Sequence, residues 1–101
     1  MRFDVHEING SYVPFAVDVQ ADVLSHLATT VIIPLIAESQ AKSEVSARFK
    51  PTIVVNQEHY VLLTSDITSV LRRELGPVVD NIEAGHRQDI TDALDFLYQG
   101  Y

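Results

Sequence analysis

The sequence predicts a mainly β domain that ends in one α-helix, and three stretches carry that prediction. Near the start, apolar and polar residues alternate up to an Asn-Gly pair. The middle holds a β-branched run and then a second hairpin pattern. From residue 86 onward the apolar spacing lengthens from two residues to three and four. Strands first and a helix last is the order of a small antiparallel sheet or barrel that carries a helix.

In residues 2–8, Phe3, Val5 and Ile8 alternate with Arg2, Asp4 and His6, which reads as a half-buried strand. Asn9-Gly10 tolerates positive φ and signals a hairpin, so residues 12–19 run back as a second strand. Pro14 cannot donate to a ladder and marks an edge or a bulge. Residues 20–30 are polar and irregular, a loop with Val23 and Leu24 as an apolar pair among polar neighbours. Residues 31–36 are β-branched but interrupted by Pro34, a strand with a bulge or at a sheet edge. Residues 38–48 read as a long connection. Residues 52–55 and 60–64 flank Asn56-Gln57-Glu58 as a second hairpin, and Ser65-Asp66 signals a turn or a helix cap.

Residues 67–84 fit two readings. Ile67, Val70, Leu71 and Leu75 make a helical stripe, yet Val70 and Leu71 fit the end of a strand equally well, and Gly76-Pro77 breaks either element. The last element is plainer. Over residues 86–99, Ile90, Ala93, Leu94, Leu97 and Tyr98 fall on one face at about 100° per residue. Asp92, Asp95 and Gln99 lie opposite. Asp89 and Asp92 sit toward the N-terminal end, where the helix dipole favours negative charge. Phe96 lies off the stripe with no obvious place in a core. With Tyr98 and Tyr101 it concentrates aromatic surface at the chain end.

A length of 101 residues suits a single domain, 1–101, with a core of its own. The absence of cysteine excludes disulfides, Cys-based zinc sites and thiol catalysis. The net charge is −7, from 14 acidic and 7 basic residues, and Arg72-Arg73 is the only adjacent basic pair. Direct binding of DNA or RNA needs a basic face that releases counterions, so this balance argues against it. No apolar run approaches the length needed to span a membrane, and the opening stretch reads as a strand rather than a signal peptide. A soluble, cytoplasmic protein is the expectation.

The chemistry motifs are missing. His6, His26, His59 and His86 show no HxH or HExxH spacing. Successive members of the trio Asp89, Asp92 and Asp95 rotate by about 60° around a helix, which suits a solvated face better than a metal site. There is no Gly-rich phosphate loop and no GxSxG elbow. The expectation is a non-enzyme with no cofactor and no metal. What remains is surface: the apolar pair Val23 and Leu24, and Phe96, Tyr98 and Tyr101, aromatics of the kind enriched where one protein grips another.

Five stretches carry a resemblance: MRFDV at the start, FAVDVQADV at 15–23, VIIPL at 31–35, TSDITSV at 64–70, and HRQDI, AL and Y.GY from 86 to the end. In that order and separation they resemble the CcdB family, the toxins of type II toxin–antitoxin modules that poison DNA gyrase. The resemblance implies an SH3-like barrel of antiparallel sheets closed by the C-terminal helix. It implies a homodimer whose helix ends meet the gyrase A subunit, or a related type II topoisomerase, and trap the cleaved complex without catalysis. It also implies a cognate CcdA-like antitoxin. Carried onto this chain, the target-binding residues are Val23, Leu24, Asp95, Tyr98, Gln99, Gly100 and Tyr101.

The business end departs from the family. Its members finish Phe-Trp-Gly-Ile where this chain has Tyr98, Gln99, Gly100 and Tyr101. A functional asparagine is matched by Asp95, and a pair of isoleucines by Val23 and Leu24. Losing a Trp removes a large stacking surface. A second reading follows, in which the fold persists but gyrase poisoning is lost and the protein binds the antitoxin as a decoy or serves another target. A third, an RNA-cleaving enzyme, rests on fold analogy alone.

Overall fold

The period-two alternation folds into seven strands and the period-3.6 stripe into one helix. The computed structural model describes residues 1–9, 13–41, 46 and 48–100. In chain order the strands are β1 (Asp4–Glu7), β2 (Phe15–Asp18), β3 (Thr29–Ala37), β4 (Thr52–Val55), β5 (Glu58–Leu62), β6 (Thr68–Leu71) and β7 (Val78–Asn81), followed by α1 (Glu83–Gln99). Every pairing is antiparallel, and the sheet runs β4-β5-β3-β2-β1-β7 with β6 also on β3.

β3 is the shared strand. One of its edges pairs with β2 over residues 32–35. Its other edge pairs first with β6 over residues 29–32 and then with β5 over residues 35–37. Pro34 lies where that second neighbour changes. Its carbonyl accepts from Leu63 N–H at 3.0 Å, so its nitrogen also faces the switch, where no ladder donor is needed. The sequence placed Pro34 at a bulge or a sheet edge. It sits instead in a central strand, tolerated because the neighbouring strand is exchanged there.

The first hairpin forms, but more loosely than Asn9-Gly10 suggested. Glu7 pairs with Phe15, and Ile8 N–H still donates to Pro14 O at 3.0 Å. The connection is therefore longer than a two-residue turn, and residues 10–12 lie outside the described residues. Pro14 falls just before β2, since a residue without an N–H cannot complete a two-way pair. The second hairpin forms with a tighter turn than Asn56-Gln57-Glu58 suggested, and its second strand covers 58–62 rather than 60–64. Asn56 and Gln57 both take positive φ, 49° and 71°, the geometry of a two-residue hairpin turn, and β5 begins at Glu58. Residues 68–71 resolve as strand rather than helix.

The outer edges of the sheet curl toward each other. Asn56, just after β4, donates its backbone N–H to Asp80 Oδ2 and its side-chain Nδ2 to Val79 O, both at 3.4 Å and both on β7. The outward N–H of Val54 on the edge strand donates to His86 Nε2 at 3.1 Å, while His86 Nδ1 lies 2.9 Å from Asp89 Oδ2. Side chains from β7 and α1 thus close the seam of a half-barrel, and an edge that would otherwise invite pairing is satisfied. Asn81 fixes the entry to the helix. Its Oδ1 accepts from Glu83 N–H at 3.1 Å and its Nδ2 donates to Asp4 Oδ1 at 2.9 Å. This capping starts α1 three residues before the expected His86.

Alternate residues supply the core: Phe3 and Val5, Val17 and Val19, Ile33 and Leu35, Ile53 and Val55, with Ile82, Ile90 and Ala93 from the helix side. Phe3 is fully buried at a φ of 70°, a conformation a non-glycine residue holds only when its surroundings enforce it. Its N–H donates to Asp18 O, Ile82 N–H donates to its carbonyl, and the guanidiniums of Arg2 and Arg87 lie 4.7 and 5.7 Å from its ring centre.

Two glycines give opposite predictions. A Cβ at Gly76 would sit 2.6 Å from Glu7 O, a backbone atom that also accepts from Gly76 N–H. Gly76→Ala should therefore lower unfolding free energy by about 2 kcal/mol in urea denaturation. A Cβ at Gly85, inside α1, would meet open space. Gly85→Ala should raise stability by about 0.5–1 kcal/mol in the same assay.

Candidate functional site

Two exposed places hold the residues singled out by sequence. The first is the connection between β2 and β3, where Asp22–Leu24 form one 3₁₀ turn with no buried residue. Val23 is 81% exposed there. Leu24 and Leu27 are exposed as well, so the apolar pair is really a trio. Leu27 was missed because it stands alone among polar residues, and only the folding back of the turn brings it beside Leu24: its N–H donates to Leu24 O at 3.0 Å.

This turn is pinned at several points. Arg2 N–H donates to Asp22 Oδ1 at 2.7 Å, and Arg2 Nε donates to Val19 O at 3.1 Å. Arg72 Nε donates to Leu27 O at 2.7 Å, and its Nη2 reaches Leu24 O at 3.4 Å. Asp18 closes the base of the turn from inside. Its buried Oδ1 accepts from Thr30 Oγ1 at 2.9 Å and from Gln20 N–H at 3.0 Å, and its Oδ2 lies 3.7 Å from Arg72 Nη1. A buried carboxylate with this many donors is satisfied rather than strained.

The second place is the end of α1. Burial fades along the helix: Ile90 and Ala93 are fully buried, Leu94 and Leu97 half-buried, and Tyr98, Gln99 and Gly100 exposed. Tyr98, read from sequence as part of the apolar stripe, is 74% exposed. The barrel surface runs out beneath the last turn, so periodicity alone overstates the buried stripe. Asp95 is exposed on the same stretch. Gly100 takes a φ of 78° and returns its N–H to Phe96 O at 2.9 Å, the left-handed cap that ends many helices. Its retention thus has a backbone reason. Tyr101 lies outside the described residues.

Phe96 has a place after all. Its ring centre lies 5.4 Å from that of Phe49, and the Arg48 guanidinium stacks 5.3 Å from it. A partner 47 positions away cannot be read from local spacing. With this intrachain contact, Phe96 needs no second copy of the chain to cover it. No hydrogen bond, ion pair or ring contact among the described residues joins the Val23–Leu27 turn to the end of α1. The two places are built separately.

The remaining candidates serve the fold or the solvent. His6 Nδ1 lies 2.9 Å from Gly76 O, His86 sits in the seam, and His26 and His59 are exposed. Asp92 accepts from Gln88 Nε2 at 2.8 Å. Among the described residues, no three His, Asp or Glu side chains converge as metal ligands, and no helix is long and apolar enough to cross a membrane.

Comparison with known proteins agrees with this architecture. The profile of the CcdB protein family matches residues 2–100. The chain therefore belongs to the CcdB family of toxins. A solved structure described as an endoribonuclease in complex with its cognate antitoxin, from a mycobacterial species, superposes with a TM-score of 0.78. Their identity is 17%, over 100% of this chain and 97% of that one. At that identity the likeness carries the fold, a curled antiparallel half-barrel with one C-terminal helix, in keeping with the SH3-like class.

Side chains that face solvent contribute little to folding. Val23→Ser should leave the unfolding free energy in urea within about 0.5 kcal/mol of the parent, whereas Ile90→Ala, at a fully buried position, should cost about 3 kcal/mol.

Proposed function

We propose that this CcdB-family protein is the toxin of a type II toxin–antitoxin module, acting in the cytoplasm as a homodimer that grips the A subunit of DNA gyrase, or a related type II topoisomerase, and holds the cleaved complex. The observation that carries the reading is an exposed apolar turn, Val23, Leu24 and Leu27, together with an aromatic helix end at Tyr98, in a chain that otherwise buries most of its large apolar side chains. Single exposed apolar residues such as Val54 and Val78 are ordinary, but three within one short turn gather into a patch of the kind that marks an interaction site.

In this reading no bond is made or broken by the toxin. Val23, Leu24 and Tyr98 bury apolar area against the target. Asp95 and Gln99 offer hydrogen-bonding groups where the family more often has Asn and Trp. Gly100 stops the helix so that Tyr98 and Gln99 stay at its tip. The antitoxin reading draws support from the structural neighbour, itself bound to a cognate antitoxin. An antitoxin that wraps the dimer would compete for the same exposed surfaces.

The neighbour's description also favours a second reading, RNA cleavage. Among the described residues, the His–carboxylate pair is His86 and Asp89, and it is engaged in the seam through Val54 N–H. That engagement supports binding over catalysis. The loss of Trp supports the alternative in which gyrase is no longer poisoned.

Induced expression in a bacterium separates the readings. The proposal expects growth arrest, a DNA-damage response and capture of purified gyrase A by the tagged protein, with RNA left intact. Tyr98→Ala should weaken that capture at least tenfold, about 1.4 kcal/mol. Growth arrest with degraded RNA would favour the enzyme. Normal growth that turns to arrest only after Gln99→Trp and Tyr101→Ile would mark the decoy.

A further inference from the structure

Resting on the proposed target-binding turn, a residue outside it sets its shape. We propose that Arg72 is the positioning residue of the Val23–Leu27 surface, and that it works by gripping two main-chain carbonyls of the turn rather than by pairing its charge with Asp18. Arg72 follows β6 in sequence, 45 and 48 residues away from the two carbonyls it binds. Its Nε donates to Leu27 O at 2.7 Å and its Nη2 to Leu24 O at 3.4 Å, whereas Asp18 Oδ2 is 3.7 Å from Nη1.

The planar guanidinium is suited to this. It presents donors in a fixed fork, so two carbonyls held by one head are held relative to each other. Those two carbonyls belong to Leu24 and Leu27, two of the three large apolar residues exposed on this turn. The backbone of Arg72 adds a further tie, donating to Ala28 O at 2.8 Å as β3 begins. Thr29 then pairs with Leu71, so the end of the turn and the base of Arg72 share one ladder. Asp18 has donors besides Arg72, since Thr30 and Gln20 both donate to its Oδ1, while Arg72 is the cation beside its Oδ2. Arginine at position 72 thus delivers a shaped apolar ridge where an unbraced connection would sample many shapes and lose affinity to ordering on binding.

Lysine discriminates between the two roles. It keeps a positive charge near Asp18 but lacks the fork. Purified gyrase A subunit is the probe, with affinity measured well below the melting temperature for the parent, Arg72→Lys, Arg72→Gln and Val23→Glu. The expected result is at least a tenfold loss for Arg72→Lys and Arg72→Gln, comparable to that of Val23→Glu. Backbone amide shifts should change over residues 22–28 but not over the β4–β5 hairpin. Melting temperature should fall by only a few degrees. Parent-like binding by Arg72→Lys alongside lost binding by Val23→Glu would overturn the carbonyl grip while leaving the target surface in place. Parent-like binding by Val23→Glu would remove the target surface and this inference with it. Global unfolding of both Arg72 variants would assign the residue to stability alone and overturn the proposal as well.

Discussion

β3 pairs along both of its edges, and it changes partners on one of them at Pro34. The geometry of the molecule follows from that exchange. Because β6 takes the first half of the edge and β5 the second, the sheet divides and curls, and its outermost strands, β4 and β7, are carried back toward each other. Asn56, Asp80 and His86 then bridge the gap with side chains, since the two edges do not form a ladder. A proline in mid-strand, which would be costly where a ladder bond is lost, sits where none is required. The same strand begins directly after the exposed turn, so the partner that defines the start of β3 also fixes where that turn ends.

The two exposed places obtain their rigidity in different ways. The helix end is an extension of a buried element: Ile90 and Ala93 hold α1 against the barrel, and the last turn projects beyond it under a glycine cap. The 22–27 turn has no buried residue in its 3₁₀ segment and depends on polar ties from Arg2, Arg72 and the buried Asp18. Hydrophobic packing would have hidden the very side chains that a binding surface must show. Polar anchoring from below leaves Val23, Leu24 and Leu27 facing water.

Much of the fold was legible because one face of each long strand is buried. Period-two alternation found Phe3 with Val5, and the 3.6-residue stripe found Ile90 and Ala93. Val70 and Leu71 were not legible, because two adjacent apolar residues fit either period and only pairing with β3 makes them a strand. Tyr98 fitted both the buried stripe and the exposed chain end, and only the second holds, because a stripe continues in sequence after the surface it packs on has ended. The candidate site was half legible. Val23 and Leu24 stood out as apolar residues in a polar loop, and the aromatic chain end was plain. The ties that shape the site, Arg72 to the turn and Phe49 to Phe96, join residues more than 40 positions apart, and no local pattern encodes them.

The central claim is that this toxin acts by laying the 22–27 turn and the tip of α1 against another protein. Hydrogen–deuterium exchange of the toxin with and without purified gyrase A subunit tests it most directly. The account predicts slowed exchange over residues 22–28 and 95–100, with the β4–β5 hairpin unchanged. Protection confined to the hairpin, or no protection at saturating gyrase A, would contradict it.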